Sequence, residues 1–348
     1  MRLLPTLMCA LLTCMGLLAS GLSAPRATAA SPGHCSEIDL PVSVPTPGAT
    51  MHGQLCMPTG RPPTTIQLLV HGATYSHVYW DFPYQPERYS YQRDMAQHGY
   101  ATFAVDRLGT GQSSKPLSFT LTDRVETESI HQVVGYLRTG RVGGMHFNRI
   151  ILVGHSIGSG VATLEAATYH DVDGVILTST SHLVSAMAAV KGPTVETHPV
   201  ILDPQLRHRG SDLGYFTTRP GFRSVFYEVS DADPQVIAAD EATKDQISIL
   251  GFGLVLTLGN EGPASLGINV PVLLAVGDKD SRFCGFLARD CSNAEVLRKQ
   301  EAPYYSPAAH LSTYVLHGLG HSLALHKNAA EYREATRAWL RTWFEGLP

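Results

Sequence analysis

The chain has 348 residues, 44% of them apolar and 16% charged, with a formal net charge of -4. That charged share is well below the roughly 25% of ordinary soluble domains, and so much apolar side chain excludes a disordered protein. With 26 basic against 30 acidic residues there is no electrostatic footprint for nucleic acid or for an anionic membrane surface.

The first stretch reads as an export signal rather than as part of the fold. Arg2 gives a short positive start, Leu3 to Leu18 is mostly apolar, and Ala27-Thr28-Ala29 offers the small residues that a signal peptidase requires. Cleavage is expected after Ala29, which leaves 30–348 as one domain of a secreted, extracellular protein. The apolar run is too short for a membrane anchor, so no stable membrane insertion is expected. Cys9 and Cys14 leave with the signal; Cys35, Cys56, Cys284 and Cys291 remain. In an oxidising compartment four thiols allow three pairings, of which sequence proximity favours Cys35–Cys56 and Cys284–Cys291. Their spacing fits no zinc site.

Two strand-like stretches follow, Ile38–Val44 and Met51–Met57, joined by the turn Pro45-Thr46-Pro47-Gly48. The run Ile66–Val70 ends at His71-Gly72, and similar runs occur at Ala101–Val105, Ile150–Val153, Val175–Leu177, Val272–Val276 and Thr313–Leu316. Near-continuous apolar runs suit strands covered on both faces in a parallel sheet. Helical periodicity occupies Glu87–His98, Thr122–Leu137, Gly158–Tyr169 and Asn328–Phe344. Strands alternating with helices predict an α/β protein with a mostly parallel sheet. The alternation breaks between Leu177 and Val272. This interval, without an evident strand, is expected to be an insertion at about 180–268 that caps the carboxyl edge of the sheet. Its apolar segment Ile247–Leu258 suits either core or a helix facing a pocket.

The sharpest chemical signal is Ile150-Ile151-Leu152-Val153-Gly154-His155-Ser156-Ile157-Gly158. A buried strand enters G-x-S-x-G and leaves as a small-residue helix, a tight turn that lifts the Ser156 hydroxyl clear of the sheet edge. A serine hydroxyl needs a base to take its proton. Two later strand ends supply the partners: Gly277-Asp278-Lys279-Asp280 and His317-Gly318-Leu319-Gly320-His321. Nucleophile, acid and base then follow in the order Ser, Asp, His, one of the known permutations. His321 is favoured as the base because it lies deeper in its loop, with His317 as a structural histidine. The spacing His317, His321, His326 does not suit a metal, since the intervening glycines oppose a helix presenting all three.

On these residues the chain resembles the α/β-hydrolase superfamily over about Ile66 to Phe344. The resemblance also rests on His71-Gly72 after the third strand and on Asp106-Arg107-Leu108-Gly109-Thr110-Gly111-Gln112-Ser113. It implies an α/β-hydrolase fold with a cap insertion. The usual place of the acid, three residues after the strand-end glycine, selects Asp280 over Asp278. The resemblance further implies an oxyanion hole built from the backbone N–H groups of Ile157 and Ala73, with Thr74 next in line. His71, His155, Asp106 and Arg107 are expected to pack and tie loops together. The aromatic stretch Tyr75, Tyr79, Trp80, Phe82, Tyr84 is either a packed loop or a pocket wall.

The function expected from the sequence is a secreted serine esterase, lipase-like, acting on a small-molecule ester or lipid-like substrate through an acyl-enzyme on Ser156. No metal and no organic cofactor is expected. A peptidase, lactonase or acyl transferase with the same three residues is the alternative, and a non-catalytic binding module on the same scaffold lies further off.

Overall fold

The computed structural model describes residues 33–251 and 264–345. The expected signal, 1–29, and residues 252–258 of the apolar segment lie outside the described residues. Among the described residues, no helix is long and apolar enough to cross a membrane.

All eight strand runs foreseen in the sequence enter one sheet. They are β1 (His34–Pro41), β2 (Thr50–Met57), β3 (Thr65–Val70), β4 (Ala101–Val105), β5 (Arg149–His155) and β6 (Gly174–Thr178), and, beyond the insertion, β10 (Val272–Gly277) and β11 (Ser312–Leu316). The spatial order is β1-β2-β4-β3-β5-β6-β10-β11. The first two pairings, β1 with β2 and β2 with β4, are antiparallel, and every other one is parallel. Every residue of β4, β6 and β10 is buried, as strands with both faces covered require. Each fully buried Val, Leu or Ile there contributes about 1.5–3 kcal/mol of transfer free energy.

Among the described residues, the α-helices with both ends described are α1 (Pro86–Tyr89), α2 (Tyr91–Gln97), α3 (Asp123–Arg138), α4 (Ile157–Tyr169), α5 (Ala186–Lys191), α6 (Pro234–Ala242), α7 (Ala294–Glu301) and α8 (Ala329–Leu340). Where the periodicity predicted one helix over 87–98, two form. Ser90 adopts an extended backbone and its side chain accepts the Arg93 N–H, so it stops one helix and caps the next. The short α5, α6 and α7, of six, nine and eight residues, span too few turns to stand out in the sequence.

The segment between β6 and β10 is not strandless, as its sequence suggested. Thr197–Pro199, Tyr215–Thr218 and Ile247–Ser248 (β7, β8 and β9) form a separate antiparallel sheet. Strands of two to four residues leave no alternation long enough to detect.

One buried acid marks the α3–α4 packing. Glu165 on α4 is fully buried. Burial, and then the Asp171 carboxyl beside it, push its pKa up to about 9 from an ordinary 4.5. The folded chain therefore holds a proton here that the unfolded chain has lost, so stability should fall as pH rises from 4.5 towards 9. Glu165→Gln is neutral at every pH. Its melting temperature should gain on the wild type with each step above pH 5, by up to about 1.4 kcal/mol per pH unit in stability. Parallel curves of Tm against pH for the two proteins would refute this.

Candidate active site

Between β3 and β5 the chain order reverses, since β3 leads outward to β4 and the chain then returns to β5 on its other side. In an open α/β sheet, such a switch point leaves a crevice at the strand carboxyl ends. Ser156 stands there, at the end of β5 and directly before α4. Its backbone is at φ 54°, ψ -120°, a sparsely populated region held only by surrounding constraint. The constraint is close packing. A Cβ on Gly154 would lie 2.4 Å from Ser159 Cα, and one on Gly158 would lie 2.3 Å from Val70 O. The Ser156 N–H donates to Thr178 O (2.8 Å), which ties the turn to β6.

Three side chains from three strand ends meet in a line. Ser156 Oγ lies 2.9 Å from His321 Nε2, and His321 Nδ1 lies 2.8 Å from Asp280 Oδ2. An ionised carboxylate only accepts, so Nδ1 carries the proton, and Nε2 is left to accept from the serine hydroxyl. Asp280 is 1% exposed and His321 3%. The acid is oriented by the Arg282 N–H, which donates to its Oδ1 (3.0 Å). The rival residues have other partners. Asp278 accepts the Gly318 N–H (2.7 Å) and lies 3.3 Å from the Nδ1 of solvent-exposed His317. His326 is buried; its Nδ1 donates to Ser322 O and its Nε2 accepts the Gly320 N–H (3.0 Å), bracing the loop that carries His321. The three histidines 317, 321 and 326 thus face separate partners.

Ala73, Thr74, Ser156, Ile157 and His321 border one cavity of about 840 Å³, counted out to its open mouth. Ile157 is the first residue of α4, so its N–H has no carbonyl one turn back to bind. Most of the far wall comes from the insertion: Val184, Ala188, Ala189, Pro193 and Phe226. An ion pair closes one side, with Arg282 2.5 Å from Glu196. Of the aromatic stretch only Tyr75 reaches this cavity; Tyr79, Trp80 and Phe82 are buried in the core. Within the described residues, the apolar segment contributes buried Ile247 to β9 and nothing to the cavity wall.

The loop histidines are structural. His71 Nδ1 donates to Gly72 O (2.8 Å), and its Nε2 accepts the Arg107 N–H (3.1 Å). Burial, and then Arg107, lower its pKa to about 3, so it stays neutral. His155 is stacked on Tyr79, and burial holds its pKa well below the ordinary value. Asp106 accepts the His77 and Gln112 N–H groups, and Arg107 pairs with Glu126 at 3.0 Å.

Sequence reasoning missed a buried network beneath the site. Arg223 and Asp240, both from the insertion, are fully buried 2.6 Å apart. Arg223 also donates to Thr74 Oγ1 (2.7 Å), and the Tyr75 hydroxyl reaches Asp240 and Ser322. The Ser179 hydroxyl donates to His321 O (2.5 Å). Thr74 and Arg223 are 149 positions apart, so no local pattern announces their contact.

The profile of the alpha/beta hydrolase family matches residues 67–335, most of the chain. The chain belongs to that family. No curated protein matches this alpha/beta hydrolase. Solved structures that resemble it include a soluble variant of monoglyceride lipase from Saccharomyces cerevisiae, with TM-score 0.62 and 16% identity over 91% of this chain and 98% of that one. A thermophilic esterase from Thermogutta terrifontis gives 0.58 and 19% over 88% and 98%. An enol-lactonase from Burkholderia xenovorans LB400 gives 0.56 and 16% over 84% and 97%. At these identities the likeness is one of fold.

The backbone of Ser156 yields a direct test. Ala normally stabilises relative to Gly by restricting the unfolded chain, but a positive φ reverses the order. Ser156→Gly should therefore be more stable than Ser156→Ala by about 1 kcal/mol. Thermal melts of the two variants check this, and the ordinary order would show that the turn is unstrained.

Proposed function

We propose that this alpha/beta hydrolase is an exported serine hydrolase that cleaves carboxylic esters through an acyl-enzyme on Ser156. The observation that carries the reading is the line Ser156 Oγ, His321 and Asp280, with steps of 2.9 and 2.8 Å, at the floor of a largely apolar cavity. His321 takes the Ser156 proton as the hydroxyl attacks the ester carbonyl, and Asp280 holds the ring in the required tautomer and balances its charge. The N–H groups of Ile157 and Ala73 receive the tetrahedral oxyanion. His321 then gives the proton to the leaving alcohol, and afterwards activates the water that releases the acid from Ser156. The reaction needs no metal and no organic cofactor.

The cavity opens above Ser156 and is lined mostly by apolar side chains. Its wall of Val, Ala and Pro favours an apolar acyl or alcohol group, so a small or lipid-like ester is the substrate class, with the insertion as its cap. The esterase and lipase among the structural neighbours support this choice. Both disulfides, Cys35–Cys56 and Cys284–Cys291, support an oxidising, extracellular compartment.

A fluorophosphonate should label Ser156, and p-nitrophenyl esters should turn over while aminoacyl nitroanilides do not. Asp280→Asn should lower kcat by about 10³ to 10⁴, the size of a lost tautomer lock, whereas Asp278→Asn should stay within a few-fold of wild type. An unlabelled Ser156, or equal losses in the two Asn variants, would end this reading.

The shorter disulfide has a second expected effect. The Asp280 carbonyl accepts the N–H groups of Cys284 (2.8 Å) and Phe283 (3.1 Å), so the bridged loop is bonded directly to the acid's backbone. Closing a loop of separation 7 stabilises by only about 2 kcal/mol, against about 3 kcal/mol for the separation of 21 at Cys35–Cys56. Cys284→Ser/Cys291→Ser should therefore lower kcat beyond its loss of folded fraction, while Cys35→Ser/Cys56→Ser should lower mainly Tm. Equal activity at matched folded fraction would show that the bridge does not position Asp280.

A further inference from the structure

The β1–β2 hairpin carries a polar face that the Ser156 site does not use. Glu37 pairs across the strands with Gln54, and Asp39 with His52; alternate residues of a strand share a face, so all four lie together. Gln54 Nε2 donates to Glu37 Oε1 (2.9 Å), and Glu37 Oε2 lies 3.0 Å from His52 Nε2. His52 Nδ1 is 2.9 Å from Asp39 Oδ1. The same arrangement recurs on His77, in the loop after β3, whose Nδ1 is 2.9 Å from Asp106 Oδ1. The two imidazole centroids are 5.5 Å apart. One ligating atom from each of Glu37, His52 and His77 falls within 4.8 Å of the others.

We propose that Glu37, His52 and His77 form a binding site for a divalent transition-metal ion of the zinc class. Two imidazoles and one carboxylate are a donor set that zinc accepts, with bonds of about 2.0–2.2 Å. Each imidazole has its Nδ1 committed to a carboxylate, Asp39 or Asp106. That outer partner fixes the tautomer and makes Nε2 the ligating atom, which in His52 faces Glu37 Oε2 and Gln112 Nε2. Both histidines are nearly buried, whereas the Glu37 side chain is 48% exposed. Glu37 therefore marks the open side of the site, from which the ion enters. Gln112 Nε2 lies 3.0 Å from His52 Nε2, and its own N–H is held by Asp106. Half a turn of that amide presents its oxygen as a further ligand. The ion would fasten the disulfide-bridged hairpin to the loop that runs on from Ala73, a role independent of ester cleavage.

The test is calorimetric titration of the chelator-treated full chain with zinc chloride, beside thermal melts. The wild type should bind one zinc per chain and melt several degrees higher with it. Glu37→Gln, a change at an exposed position, should fold as the wild type does and bind about tenfold or more weakly; His77→Gln should do the same. His131→Gln alters the other His–carboxylate cluster, with Glu165 and Asp171, and should leave binding unchanged. X-ray absorption of the loaded protein should show two nitrogen donors. The proposal is overturned by absent saturable binding, by affinity that survives Glu37→Gln and His77→Gln, by dependence on His131, or by calcium binding as tightly as zinc.

Discussion

The tight contact between the start of α4 and the ends of β3 and β5 governs the rest of the site. Gly154 and Gly158 let the helix backbone come so near that a single methyl at either place would strike Ser159 or Val70. That contact forces Ser156 into its positive-φ turn and aims its hydroxyl out of the sheet edge. Because β3 and β5 are neighbours at the point where the chain order reverses, the loop carrying Ala73 lies beside the turn. His321 and Asp280 then need only arrive from the ends of β11 and β10, two adjacent parallel strands. Parallel alignment places all four loops at one edge, so the candidate site is assembled by sheet order rather than by any local fold of the chain.

Electrostatics hold this geometry from below. The Arg223–Asp240 pair is fully buried, and removing one partner of such a pair costs about 3–5 kcal/mol because the other charge is stranded. Through Thr74 and Tyr75 the pair fastens the insertion to the loop after β3, and through Ser322 to the loop of His321. The insertion is therefore more than a wall. Its charged anchor and the loop after β3 form one hydrogen-bonded unit, while its small apolar residues shape the cavity. Neutral, buried His71 does similar work on the other side by joining the loops after β3 and β4.

The sequence determined the sheet almost strand by strand, because long apolar runs can be satisfied only by burial on both faces. It also determined the Ser156 turn and the trio Ser156, Asp280 and His321 as candidates, since each follows an apolar strand within a few residues of a glycine, a signal local in the chain. The cysteine pairs were legible because both closures are short. Tertiary structure alone decided what depends on distant partners. The resemblance selects Asp280 over Asp278, but only the fold carries it to His321 across 41 positions, while Asp278 serves its surface loop. The strands of the insertion were too short to register, the Arg223 network spans 149 positions, and His52 and His77 come together only because the hairpin and the loop after β3 share a corner of the fold. Local backbone demands write themselves into neighbouring residues. Contacts between residues far apart in the chain are set by packing, and packing leaves no short pattern to read.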